Sequence, residues 1–141
     1  MNRRNMQRTT LELILLCLLG GAVVAGTPSP ARVQLDGFLA AFNSGDRATI
    51  MAFGKDHAPP DFIRPAIVDQ TLEMSRTSGG YDVLEVNETD PLSVKSRVLA
   101  RATQEVAELS IAVDPANPER ITVITLTDRV APASPPTTPD R

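Results

Sequence analysis

The chain has 141 residues, with 14 basic and 17 acidic side chains and a formal net charge of −3 at pH 7. This mildly acidic balance excludes nucleic acid as an expected partner. The single cysteine, Cys17, excludes a disulfide framework within the chain, and the length fits one domain.

The first 26 residues show the pattern of an export signal. Three arginines lie within the first eight residues, a mostly apolar run covers 11–24, and small residues follow. We expect a signal peptide over 1–26 and a periplasmic or secreted mature chain. The alternative is an uncleaved inner-membrane anchor over 11–26, although the apolar run is short against the roughly 20 residues of a spanning helix. Cleavage would leave 11 basic against 16 acidic residues, a net of −5.

A helix is predicted after a short linker at 27–32. Its apolar residues recur with the period of one helix face, at Leu35, Phe38, Leu39 and Phe42. Gly45 can adopt the left-handed conformation that ends a helix.

Two further helices are predicted before residue 81. Asp46 is the expected N-cap of the second helix, which Pro59 and Pro60 end. The third helix starts at Asp61 or Arg64 in this interpretation, with Pro65 in its first turn. Gly79 and Gly80 end it, and Val68 and Leu72 share its apolar face.

From Tyr81 the apolar period changes to two, which predicts four strands of an antiparallel sheet with one wet face. The first strand begins at Tyr81, and the other three cover Leu92–Ala102, Val106–Val113 and Arg120–Asp128. Three helices followed by such a sheet predict an α+β domain.

The details of strand pairing are also predicted from the pattern. A turn at Thr103-Gln104 would pair Ala100 with Ala107 and Val98 with Leu109 on the apolar face. Because this dipeptide is not a preferred turn, a bulge or a longer loop is the alternative. Broken alternation in the last strand, over 121–126, predicts a bulge or burial on both faces. The proline-rich segment 129–141 is predicted to be a disordered tail.

Three stretches resemble a known family. The run FLAAFNSGDRATIMAFGKDHAPP (Phe38–Pro60), the segment Gly79–Asp82 and the segment Ile111–Pro115 resemble a nuclear-transport-factor-2-like (cystatin-like) accessory domain. That domain is found upstream of the catalytic domain in some bacterial secreted serine hydrolases. The resemblance implies helices packed on a curved four-stranded sheet over 33–128, in a non-catalytic or ligand-binding module. No Gly-x-Ser-x-Gly motif of such a hydrolase appears in these 141 residues. We therefore expect either a free-standing version of the module or one that has lost its partner domain.

Two functions are compatible with these features. The first is an exported, non-catalytic accessory or interaction module of the cell envelope, associated with a secreted hydrolase. The alternative is a cone-shaped pocket for a small apolar ligand, or an isomerase or dehydratase that uses His57 and Asp61 as general acid and base. Convergent polar groups in the cavity would favour the second function, and a cavity filled by apolar side chains would favour the first.

The candidate pocket residues are His57, Asp61 and Tyr81. Each also has a structural interpretation. His57 closes the second helix, where an imidazolium complements the helix dipole, and Asp61 follows Pro60 as a natural N-cap. Tyr81, the only tyrosine, is either a hydrogen-bonding group at the cavity mouth or a buried aromatic at a helix–strand junction. One histidine makes a zinc site improbable, and we expect neither a metal nor a cofactor.

Lys95, Arg97 and Arg101 form a basic stripe on the outer sheet face. The stripe is either a docking surface for an acidic partner or a solvated face neutralised by acidic residues of neighbouring strands. The expected neutralising residues are Glu85, Glu88 and Glu108.

Overall fold

The computed structural model describes residues 26–128. The elements are α1 (Pro30–Ser44), α2 (Arg47–His57), a 3₁₀ turn (Pro60–Ile63), α3 (Pro65–Ser78), β1 (Tyr81–Asp90), β2 (Ser93–Ala100), β3 (Val106–Val113) and β4 (Ile121–Asp128). The strands form one antiparallel sheet in the order β1-β2-β3-β4, and the three helices pack on it. The predicted α+β class is confirmed. The expected signal segment, up to residue 25, and the expected tail lie outside the described residues.

Helix α1 begins inside the segment that was expected to be a linker. The Ser29 hydroxyl caps it by accepting a hydrogen bond from the main-chain N–H of Arg32 at 3.1 Å, and Pro30 fills the first helical position. The same hydroxyl donates to the Glu88 carboxylate of β1 at 2.8 Å. Ala31 is completely buried, so the segment that was expected to be a linker contributes a residue to the core.

The apolar face of α1 forms the main core together with the inner face of the sheet. The buried residues of this core include Leu35, Phe38, Leu39, Phe42, Val94, Val98, Leu109, Ile111, Val113 and Ile121. Aliphatic side chains from β2 and β3 thus meet the two phenylalanines of α1. This face agrees with the one predicted from the helical period.

The turn between α1 and α2 follows the predicted capping pattern. Gly45 has a φ of 62°, and its N–H donates to the Phe42 carbonyl at 3.2 Å. The Asp46 carboxylate accepts from the hydroxyl and the main-chain N–H of Thr49, at 2.7 and 2.9 Å. These bonds, the hydroxyl bond first, lower the pKa of Asp46 from its ordinary value of 3.8.

Helix α3 starts at the second of its two predicted positions, Arg64 rather than Asp61. Arg64 is its N-cap residue and Pro65 its first residue, whereas Asp61 lies in the 3₁₀ turn before it. Asp61 therefore does not cap α3, and that interpretation was wrong. Val68 and Leu72 form a second small core with Ile50 of α2.

The sheet differs from the prediction in the pairing of β2 with β3. Val98 faces Ala107 rather than Leu109, which is opposite Ser96. The cause is the longer loop over 101–105, in which Gln104 takes a positive φ of 60°. The register moved by two residues, an even number, so the apolar side chains remain on the core face.

The predicted irregularity in the last strand is a β-bulge. Ala112 pairs with Val123 and Val113 pairs with Ile121, which leaves Thr122 as the extra residue. Ile124 and Leu126 then pack partly buried against the core, while Val123 is exposed.

The side chain of Asn43, in α1, forms two hydrogen bonds with the main chain of the first residue of β1. The Asn43 amide group donates to the Tyr81 carbonyl at 2.9 Å, and its oxygen accepts from the Tyr81 N–H at 2.8 Å. Gly80 lies beside this pair with a φ of 90°, and a Cβ there would lie 2.9 Å from the Asn43 amide oxygen. A side chain at residue 80 would therefore break the link between α1 and β1.

We expect Gly80→Ala to destabilise the protein more than Gly45→Ala. At Gly45 the cost is the left-handed backbone alone, about 1–2 kcal/mol, because a Cβ there makes only an ordinary contact with Ser75. At Gly80 the loss of the Asn43 hydrogen bonds adds about 1 kcal/mol or more. Urea denaturation of both variants measures the difference. If the lost Asn43 hydrogen bonds cause the difference in the free energy of unfolding, that difference shrinks when both variants also carry Asn43→Ala. A difference that persists in that background would contradict this account.

Candidate functional site

The interior between α1 and the sheet, where a cone-shaped pocket was considered, is filled by side chains. Phe38 and Phe42 are 6% and 2% exposed, and Leu109 is completely buried. The Phe38 ring lies 6.1 Å from the ring of Phe53 and 6.3 Å from that of Phe62, both in edge-on contact. The two rings of α1 therefore occupy this region, and the partly buried Phe53 and Phe62 pack against it from α2 and the 3₁₀ turn.

His57, the last residue of α2, joins the helix to the loop before β4. Its Nδ1 lies 3.0 Å from the main-chain oxygen of Glu119. Since that oxygen can only accept, Nδ1 carries the proton and donates. The imidazole ring also packs against the Phe53 ring at 5.2 Å between centroids. The half-buried side chain thus holds two segments together.

Arg120 makes a second connection at the same helix end, and the sequence analysis missed it. One guanidinium nitrogen lies 3.4 Å from each of the main-chain oxygens of Lys55 and Asp56. A cation there satisfies carbonyls that the end of a helix leaves unpaired. The arginine is more than sixty residues away in sequence, so no local pattern marks it.

Asp61 is exposed in the 3₁₀ turn. Its carboxylate lies 3.7 Å from the Arg64 guanidinium, three residues along the chain. An ion pair this exposed contributes little to stability.

Tyr81, the first residue of β1, is 7% exposed. Its ring stacks on that of Phe42, with 5.1 Å between centroids and 21° between planes. The main-chain bonds to Asn43 and this stacking fix the ring at the junction of α3 and β1. Of the two alternatives for this residue, the structure supports the buried aromatic at a helix–strand junction, and the ring also lines a cavity.

That cavity lies between the C-terminal half of α3 and the β2–β3 loop, with a volume of about 290 Å³. Its polar lining includes Glu73, Thr77, Tyr81 and Glu105. Its apolar lining comes from Met74, Ala100, Val106 and Ala107. Of the three candidate pocket residues, Tyr81 lines this cavity and His57 and Asp61 do not. The two glutamates escaped the sequence analysis because a helix and a distant loop bring them together.

The basic stripe on the outer sheet face is neutralised by acidic residues. Lys95 pairs with Glu108 at 3.8 Å, Arg97 with Glu85 at 3.7 Å, and Arg101 with Asp82 at 2.8 Å. The predicted roles of Glu85 and Glu108 agree with this arrangement. Glu88 instead binds Ser29, and Asp82 takes the place expected for it.

Within residues 26–128, no cluster of three histidine, cysteine or acidic residues has the arrangement of a metal site. Over the same residues, no helix combines the length and the apolar character needed to cross a membrane. Comparisons with known protein families, with curated proteins and with solved structures find no match to this chain.

We expect His57→Ala to lower the free energy of unfolding by about 1 kcal/mol, the usual worth of one hydrogen bond. Asp61→Ala is the matched control and should change it by less than about 0.5 kcal/mol, because its ion pair is exposed. Urea denaturation checks both values. If the unaltered protein has an enzymatic activity and either variant loses it while remaining folded, the structural role given to these residues would be contradicted.

Proposed function

We propose that this protein is an exported, non-catalytic accessory or interaction module of the bacterial cell envelope, of nuclear-transport-factor-2-like character, that acts with a secreted hydrolase. The observation that carries the proposal is the filled interior between α1 and the sheet. The other arguments are the hydrogen-bond partners of the candidate acid–base residues and the place of the described core residues after the expected cleavage site in the sequence.

The filled interior favours the module over a cone-shaped pocket for an apolar ligand. Such a ligand would need the space that Phe38 and Phe42 occupy, and both rings are more than nine-tenths buried. Protein interiors are packed as densely as organic crystals, so displacing an aromatic ring from this region would be costly. A surface-acting module needs no such space.

The contacts of His57 favour the same conclusion. A histidine that acts with a carboxylate is oriented by a hydrogen bond from one ring nitrogen to that carboxylate. In this protein Nδ1 of His57 binds the main-chain oxygen of Glu119, and the carboxylate of Asp61 faces Arg64. The pair therefore lacks the connection that acid–base catalysis by an isomerase or dehydratase would use.

The arrangement of the domain is compatible with export. Among the described residues, 26–128, Ala31 is the first that is buried, and α1 begins at Pro30. Cleavage after residue 26 would therefore retain all the core residues that the structure describes.

The proposal is tested by expressing the chain with its own leader in a bacterium and cross-linking the envelope fraction. Native mass spectrometry reports the mass of the mature chain, and a fluorophosphonate probe labels any cross-linked serine hydrolase. We expect a chain that starts near Thr27 and a labelled partner. The control carries Leu15→Arg and Leu16→Arg, which interrupt the apolar run and should keep the chain in the cytoplasm without the partner.

Three results would contradict the proposal. They are retention of the unaltered chain in the cytoplasm, envelope complexes that contain no fluorophosphonate-labelled protein, and labelling of the chain itself.

A further inference from the structure

The cavity between α3 and the β2–β3 loop has the size of a site for a small ligand. Its volume of about 290 Å³ lies at the lower end of the range of ligand pockets, roughly 300–1,000 Å³. This space suits a molecule with one ring or a branched chain of similar size. The proposed partnership with a hydrolase does not use it.

The charge around the cavity is negative on two sides. Glu73 reaches it from α3 and Glu105 from the β2–β3 loop. The described contact of Glu73 is a weak hydrogen bond from Thr77 at 3.5 Å. Within residues 26–128, Glu105 has no ion-pair partner, and no lysine, arginine or histidine lines the cavity.

The end of α3 adds to this negative potential. Thr77 and Ser78 line the cavity and belong to the last turn of the helix. Helix C-termini carry a partial negative charge that favours cations. Arg76, the basic residue of this last turn, offsets part of the charge but does not line the cavity. The cation of the β2–β3 loop, Arg101, is paired with Asp82 at 2.8 Å on the outer face of the sheet. A ligand in the cavity would therefore meet the negative charge of the two glutamates without a cation in the lining.

The remaining lining is apolar and includes an aromatic ring. Met74, Val106 and Ala107 contribute aliphatic surface. Tyr81 adds a ring that is held in place by its stacking on Phe42 and by the main-chain bonds to Asn43. A fixed tyrosine ring attracts cations through its quadrupole. The lining thus combines carboxylates, an aromatic ring and an apolar wall.

We propose that this cavity is a binding site for a small organic cation, an amine or quaternary ammonium compound with one ring or a branched apolar group. The cationic head lies between Glu73 and Glu105, and the apolar group lies against Met74 and Val106. The lining matches both parts of such a ligand. An inorganic cation would leave the apolar wall unused, and the two glutamates would repel an anion.

Titration of the full chain with benzylamine, followed by amide NMR, tests this site. Benzyl alcohol and benzoate are matched probes that keep the ring and replace the cationic group with a neutral or an anionic one. We expect saturable shifts for benzylamine at the end of α3 and over 103–107. Binding of benzyl alcohol should be weaker by about tenfold or more, because a charge-assisted hydrogen bond is worth about 1.5 kcal/mol or more. Benzoate should give no saturable shift.

Substitutions that keep side-chain volume separate charge from shape. The double variant Glu73→Gln and Glu105→Gln should weaken benzylamine binding by about tenfold or more, and its amide spectrum should retain the dispersion of the folded chain. Glu119→Gln, an exposed glutamate outside the cavity, is the control and should leave the affinity unchanged. Equal binding of benzyl alcohol, an unchanged affinity in the double variant, shifts at another surface or no saturable shift would each overturn the proposal.

Discussion

The packing of the apolar face of α1 against the sheet is the interaction on which the rest of the structure depends. The helix contacts β1, β2, β3, α2 and α3, so each neighbouring element takes its position from it. Phe38 and Phe42 place two buried aromatic rings at this contact, with 5.9 Å between their centroids. Burying such rings removes a large apolar area from water, which is the main favourable term in folding. In a domain without a tryptophan, few other side chains provide as much.

Polar contacts at both ends of α1 determine how the helix lies on the sheet. Near its N-terminus, Ser29 binds Glu88 and the Ala31 N–H donates to the Pro91 carbonyl at 3.1 Å. At its C-terminus, Asn43 binds both main-chain groups of Tyr81. The second contact also orients Tyr81, whose ring stacks on the core and lines the cavity beside α3. One helix thus connects the filled interior, which supports the module, to the cavity for which we propose a cationic ligand.

Features set by neighbouring residues were predictable from the sequence, and features set by distant ones were not. The caps at Gly45 and Asp46 depend on a few adjacent residues, and they were predicted correctly. The β2–β3 register depends on the conformation of a whole loop, in which Gln104 adopts an unusual φ, so the pairing was predicted two residues away. The contact between His57 and Glu119 joins segments that are far apart in sequence. The same is true of Glu73 and Glu105, which line one cavity. No periodic pattern in the sequence predicts contacts of this kind.

Urea denaturation of Phe42→Ala tests most directly the claim that the interior is a packed core rather than a pocket. We predict a loss of about 3–5 kcal/mol in the free energy of unfolding, the usual cost of truncating a buried phenylalanine. Val33→Ala is the matched control: Val33 lies on the same helix and is 52% exposed, and its change should stay within about 0.5 kcal/mol. A loss below about 1 kcal/mol for Phe42→Ala would show that its ring borders open space, and would contradict the account.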